Sequence, residues 1–264
     1  PIRIVEEFEP LGTGGAIHNC KDHINGTFVV LNGDLVSSID IGEMLEFHRS
    51  QGGLATISLW EVEDPTRFGI AELGVDGRIK RFKEKPTLEE AFSNLINAGA
   101  YILEPEIFER MPEGPHSIER DVYPTLAAEG LLNGFSFTGW FVDAGTPSSW
   151  IEAMEICISN KKWRHGNSDG ASSWLGTDVR FDPGALLEFS AIGDRTEIGS
   201  GVSISKTSIL EDTTIGDGTT LSGCLVGKRV KIGEGCVLSN VVIDYESTIP
   251  DGLEQNGGVW PPVD

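Results

Sequence analysis

The sequence predicts an α/β domain with a mostly parallel sheet, followed by a parallel β-helix. Three observations carry this expectation. Apolar residues recur with a constant seventeen-residue period through the last third of the chain. Strand-like and helix-like segments alternate over residues 1–160, the order of a layered α/β domain. Two aspartates, Asp34 and Asp143, each follow a short apolar strand, where open sheets gather their ligands.

The repeat is read from Leu175, Phe181 and Leu187, then Ile192, Ile198 and Ile204, then Ile209, Ile215 and Leu221, then Val226, Ile232 and Leu238, then Ile243 and Ile249. The step is six, six, five. All fourteen positions are apolar against a 39% background, so a repeat accounts for them better than chance. A plain β-sandwich has no reason to hold so constant a period. Glycine follows the apolar residue at Gly193, Gly199, Gly216, Gly227 and Gly233, and such a residue suits a tight corner. Three short strands per coil, each turning one aliphatic side chain inward, describe a three-sided prism with coils about 4.8 Å apart. The pattern resembles the left-handed parallel β-helix of hexapeptide repeats.

The elements before it follow from local pattern. Thr27–Leu31 reads as a buried strand, Ile41–Ser50 as a helix with Ile41, Met44, Leu45 and His48 at helical spacing, and Ala55–Leu59 and Ala98–Leu103 as strands. Thr146-Pro147 should cap a helix running through Ile151, Met154 and Ile158. Lys161 to Ser173, rich in Ser, Gly and charge, reads as a linker. The expected division is therefore 1–160, a linker at 161–173, and a β-helix at 174–264. The chain opens with a short strand and goes straight to Pro10-Leu11-Gly12-Thr13-Gly14-Gly15, where such a domain should begin with a strand and a glycine-rich turn. The expectation is that the first part of the domain is missing.

At 264 residues, with 23% charged residues, the chain can bury a real core. A net charge of −21 disfavours nucleic acid or an anionic membrane as partner, because both need a positive field. No apolar run reaches the length of a membrane helix and no signal region opens the chain, so a cytoplasmic location is expected. Cys20, Cys157, Cys224 and Cys236 lie far apart and read as structural thiols, not a zinc site. Trp60, Trp163 and Trp260 read as packing residues.

Asn32-Gly33-Asp34 could be a hairpin turn, but a helix follows instead of a partner strand, which favours a ligand site at the strand end. Trp140 to Pro147 repeats the device around Asp143. Two such carboxylates suit a hard cation such as Mg²⁺. Arg78 to Lys85 concentrates five cations around one anion; as a strand it places Arg81, Lys83 and Lys85 on one face and Phe82 and Glu84 on the other. A solvated edge strand is the plain reading for Arg78 to Lys83. Pro86 stops the strand after Lys85, putting that lysine at another strand end, where it could meet phosphate. Asn97-Ala98-Gly99 brings an amide, and a glycine that admits a close ligand.

Taken in order, these stretches resemble the sugar-1-phosphate nucleotidylyltransferases: Glu7-x-x-Pro10 to Ala16, Asn32-Gly33-Asp34, Phe68-Gly69-Ile70, Glu84-Lys85-Pro86, Asn97-Ala98-Gly99-x-Tyr101-Ile102, Ser117-Ile118-Glu119 and Asp143 to Pro147, then the β-helix. Within that family, Ser117 to Pro124 and the closing Asn256-Gly257 look most like mannose-1-phosphate guanylyltransferases. The resemblance implies a Rossmann-like, mostly parallel sheet, N-terminally incomplete. It also implies transfer of a nucleoside monophosphate from a nucleoside triphosphate to a sugar 1-phosphate, giving pyrophosphate. It assigns Asp34 and Asp143 to Mg²⁺, Lys85 to the sugar phosphate, and Glu84 and Asn97 to sugar hydroxyls. Gly12 and Thr13 would lie near the base, and Gly69 and Gly99 would line the sugar pocket. The family's G-G-x-G-T-R loop and downstream K-P lysine are absent. GTP with mannose 1-phosphate is the preferred pair, and a homo-oligomer through the β-helix is expected. The alternatives are a glucose-1-phosphate thymidylyl- or uridylyltransferase, a non-catalytic nucleotide-sugar-binding regulator, and a hexapeptide-repeat acyltransferase. The last is disfavoured because none of the five histidines lies beyond Leu175.

Overall fold

The computed structural model describes residues 2–161, 167–168 and 172–262. Most of the expected linker, with Trp163, lies outside the described residues. The chain forms two compact units, Pro1–Phe141 and Val142–Asp264; the break precedes the last helix of the 1–160 segment.

In the first unit, chain order is α1 (Gly12–Asn19), β1 (Phe28–Leu31), β2 (Leu35–Ser37), α2 (Ile41–Gln51), β3 (Ala55–Glu61), β4 (Gly69–Leu73), β5 (Ile79–Glu84), β6 (Leu95–Leu103), α3 (Ile118–Asp121), α4 (Tyr123–Ala128) and β7 (Leu132–Ser136). The main sheet runs β5-β4-β6-β3-β7, with β1 also on β6. Strand direction is mostly common: β1, β3, β4 and β7 point one way, β5 and β6 the other. Because β6 is inserted among strands of opposite direction, only β3 and β7 meet as a parallel ladder. The α/β unit is Rossmann-like in its layered order.

Local sequence explains the elements. In β3, Ala55 to Leu59 are all buried, as expected of a central strand covered on both faces. In α2 the Asp40 carboxylate caps the Glu43 N–H at 3.0 Å, and Met44 and His48, four apart, form the buried stripe. The core joins Ile57 and Leu59 of β3 with Tyr101 and Leu103 of β6 and Ile118, Tyr123 and Leu126 of the helices.

Three expectations need correction. The Thr27–Leu31 strand is not buried: β1 lies at an edge, its alternate residues Val29 and Leu31 being 41% and 60% exposed. No helix directly follows Asp34; the short strand β2 intervenes. The hairpin alternative also fails, since neither Asn32 nor Gly33 takes a positive φ. In β5, Arg81 and Lys83 behave as edge-strand cations. Arg81 pairs with Glu72 at 3.4 Å and lies 3.6 Å over the Phe92 ring, while Lys83 meets Glu90 at 2.6 Å. Trp60 packs on Phe137, ring centres 5.0 Å apart.

A last strand, β8 (Phe141–Asp143), carries the chain into the second unit, which opens with α5 (Pro147–Ser159), capped by Thr146 and Ser149. Three parallel ladders follow, and every parallel rung joins a residue to the one seventeen later, as Glu197↔Thr214 and Leu221↔Leu238. This is a β-solenoid of about five turns. From Ile192 to Ile249 the expected inward residues are buried. In the first coil Leu175 and Leu187 are only partly buried, and Phe181 is 44% exposed because its strand pairs with the following coil alone.

The corners are built differently from the expectation. Gly193, Gly199, Gly216, Gly227 and Gly233 have negative φ; a Cβ on Gly216 would stand 2.6 Å from the Gly233 carbonyl carbon in the next coil. These glycines permit coil-to-coil approach. The left-handed residue comes two positions later, at Arg195, Gly201, Gly218, Arg229 and Gly235. Cys224 occupies a corner position seventeen after Thr207, whose hydroxyl accepts its N–H at 3.2 Å, and the four cysteines are free thiols.

Candidate active site

Seven of the expected site residues, Gly12, Thr13, Gly69, Glu84, Lys85, Asn97 and Gly99, lie in the first unit around two residues to which sequence reasoning gave no role, Tyr101 and Glu119. Glu119, on α3, is 7% exposed. Its Oε2 accepts hydrogen bonds from the hydroxyls of Thr13 and Ser117, the latter at 2.7 Å, and its Oε1 accepts the Tyr101 hydroxyl at 3.4 Å. Three hydroxyl donors suit a carboxylate, which only accepts. Tyr101 in turn receives the Asn97 amide at 3.0 Å, and Asn97 Oδ1 receives the Gly99 N–H at 3.0 Å. Edge-to-face packing of Tyr101 on Tyr123 seals this chain, and burial pushes both phenols well above the usual tyrosine range.

On the other side lies Glu84, at the end of β5. Its carboxyl is raised above the ordinary range, first by burial and then by the nearby Glu119, with Lys85 and Arg120 opposing. Gly69 of β4 is its register partner, and a side chain there would collide with it. Lys85 is exposed and has φ 44°, a left-handed conformation that a lysine adopts only under constraint. Its N–H is fixed by the Phe68 carbonyl at 3.0 Å.

The start of α1 docks on the same region. Gly14 and Gly15 donate to the His116 carbonyl at 3.0 and 3.2 Å, and a Cβ on Gly12 (φ 72°) would stand 2.6 Å from that oxygen. The Thr13 hydroxyl, expected near a base, is committed internally: it donates to Glu119 and accepts the Ile118 N–H at 3.1 Å. Gly99 (φ 68°) leaves room for Asn32 and Leu35, and Asn32 N–H binds the Gly99 carbonyl at 2.9 Å. This ties the Asp34 loop to the site. Asp34 is exposed, with no partner among the described residues. Asp143 belongs to the second unit, where one of its oxygens accepts the Gly145 N–H at 3.1 Å.

Glu119 could have been found from sequence. Ile118 and Val122 mark the buried face of a short helix, and an acid beside them has to be satisfied by donors. Among the described residues no cluster of three His, Cys, Asp or Glu side chains forms a metal centre. The exposed Asp34 carboxylate nonetheless has the donor chemistry of a hard divalent cation.

An α/β unit with a buried carboxylate and hydroxyl cluster, continued by a β-solenoid, is a two-part architecture, and the chain's similarities name its class. It belongs to the nucleotidyl transferase family, whose model matches residues 1–160, and residues 172–259 match the GMPPB C-terminal domain. It is 32% identical to probable mannose-1-phosphate guanylyltransferase 3 of Oryza sativa subsp. japonica, over 80% of this chain and 58% of that protein. It is 34% identical to the mannose-1-phosphate guanylyltransferase catalytic subunit beta of Drosophila pseudoobscura pseudoobscura, over 69% and 49%. A solved structure of a putative glucose-1-phosphate thymidylyltransferase from Bacillus anthracis matches with TM-score 0.53 and 28% identity, over 61% of this chain and 65% of that one. The chain thus spans about half to three fifths of these two curated relatives. Among the described residues no helix is long and apolar enough to cross a membrane.

Proposed function

We propose that this chain carries the sugar-phosphate side of a sugar-1-phosphate nucleotidylyltransferase, the reaction being GTP with mannose 1-phosphate to GDP-mannose and pyrophosphate. The observation that carries the reading is the Glu84-Lys85 corner: a half-buried carboxylate, a glycine opposite it, and a lysine held in a left-handed conformation at the strand end. An exposed ammonium there can meet a phosphate dianion, and the neighbouring carboxylate and the Asn97 amide can take hydroxyls. The relatives' names supply the base and the sugar.

In this reading the Lys85 ammonium neutralises the sugar phosphate, so that its oxygen can approach the α-phosphorus of the nucleotide. Glu84 and Asn97 orient the sugar, Gly69 keeps the space beside Glu84 clear, and Gly99 seats Asn32 and Leu35 instead of a ligand. Catalysis then rests on positioning and charge neutralisation, with no covalent enzyme intermediate. Asp34, exposed on the loop tied to Gly99, offers a carboxylate to a magnesium ion, which would supply further neutralisation of phosphate charge.

The test is pyrophosphate release by the natural protein that contains this chain, over a panel of nucleoside triphosphates and of mannose and glucose 1-phosphates with Mg²⁺. The largest rate is expected with GTP and mannose 1-phosphate. A preference for dTTP or UTP with glucose 1-phosphate would move the assignment to the thymidylyl or uridylyl branch. Release with none of the pairs would overturn it.

A further inference from the structure

Glu119 joins two parts of the site that are far apart in sequence. Its Oε2 holds Thr13, in the first turn of α1, while its Oε1 holds Tyr101 and through it Asn97. Thr13 passes the restraint back by accepting the Ile118 N–H, so α1 and α3 are pinned to each other by one hydroxyl. The carboxylate is buried, makes three hydrogen bonds, and lies close enough to Glu84 for the two charges to interact.

We propose that Glu119 is the positioning residue of this site: it clamps the Gly12–Gly15 segment through Thr13 and holds Asn97 through Tyr101. The proposal rests on the functional reading above for what Glu84 binds, but the linkage itself does not. Glu119 needs no contact with substrate. It acts through Thr13 and Tyr101 on one side, and through space on Glu84 on the other. The charged groups bearing on Glu84 are Lys85 from its own strand end and Glu119 and Arg120 from α3; β4 presents only Gly69. Lys85 and Arg120 favour the ionised form, while burial and Glu119 oppose it, so removing the Glu119 charge leaves the cations opposed by burial alone.

Two substitutions separate the two roles. Glu119→Gln keeps an oxygen for Thr13 and Ser117 but removes the charge. Carboxyl-carbon NMR titration should then show the Glu84 midpoint moving down relative to wild type. Thr13→Val removes the clamp but leaves the charge. Amide exchange at Gly14, Gly15 and Ile118 should accelerate about tenfold, the loss expected for a hydrogen bond to a charged group, and Thr13→Ser should restore protection. A Glu84 midpoint that stays in place in Glu119→Gln, or exchange in Thr13→Val that matches wild type, would overturn the proposal. Calorimetric titration with mannose 1-phosphate tests the functional reading separately. Affinity in wild type should rise as pH passes upward through the Glu84 midpoint, and the same rise should occur at lower pH in Glu119→Gln. If the sugar phosphate binds at no pH, the functional reading falls while the NMR results still decide the role of Glu119.

Discussion

A methyl group on Gly69 would stand 2.6 Å from Glu84 Oε2 and 2.5 Å from Phe82 Cζ. Phe82 is 5% exposed, so its ring has no room to retreat and Glu84 must yield. Gly69→Ala should therefore cost about 1–3 kcal/mol, as overpacking does. It should raise KM for the sugar phosphate more than it lowers kcat. Urea denaturation and steady-state kinetics give both quantities, and a variant with wild-type KM would separate Gly69 from the sugar site.

Lys85 combines an unusual backbone with an exposed charge, and the two can be tested apart. Lys85→Ala should lower kcat by roughly 10²–10³, the loss typical of one preorganised electrostatic contact. Lys85→Gly should lose the same activity yet be more stable than the alanine variant by about 1 kcal/mol, because glycine adopts a left-handed conformation without the Cβ penalty. Equal stability of the two variants would mean that the φ of 44° is not maintained in solution.

Two carboxylates near β5 should tune stability in opposite directions. The Glu90 carboxyl is held down to about 2, first by its hydrogen bond to Lys83. Its contribution is present above the ordinary glutamate range and lost as pH falls towards about 2. Glu84 is raised by burial, so its contribution is present at low pH and lost as pH rises through the raised value. Glu90→Gln should thus be destabilised relative to wild type at pH 6 and converge with it near pH 2.5. Glu84→Gln should gain on wild type as pH rises from 4 to 8. Both effects are small, since both groups meet solvent; urea midpoints across pH measure them.

The solenoid was legible because each coil must bury one residue per side, which prints a period directly into the sequence. Its ends and corners were less so. Phe181 satisfies the pattern but lacks a covering coil, and Phe189, Lys206 and Glu246 take left-handed corners without being glycine or asparagine. Stacking of successive coils decides those positions, and no local preference records it. In the first unit, Pro86 marked the end of β5 at Glu84 and Lys85, as observed. The buried face of α3 pointed to Glu119, but its pairing with Tyr101 joins a strand to a helix, a tertiary fact that no local pattern records. The direction of β6, which turns a largely co-directional sheet into mostly antiparallel ladders, escaped for the same reason.

The corner glycines offer the sharpest test of the solenoid. Gly216 and Gly218 are two residues apart but serve opposite needs. At Gly216 φ is negative, so any residue could adopt the backbone, yet a Cβ would stand 2.6 Å from the Gly233 carbonyl carbon and 2.7 Å from the Glu234 nitrogen. Those are backbone atoms locked in the next coil, and relief means prising two coils apart. At Gly218 φ is 67° and nothing lies within 4 Å of a Cβ. The only cost there is the left-handed conformation, which Asp212 and Asn240 already accept at other corners. Gly216→Ala should therefore cost at least about 1–3 kcal/mol, by overpacking. Gly218→Asn should cost less than about 1 kcal/mol, because asparagine tolerates the left-handed region. Thermal and urea unfolding of the two variants compare them directly. The reverse order would mean that the coils are not stacked at the spacing described.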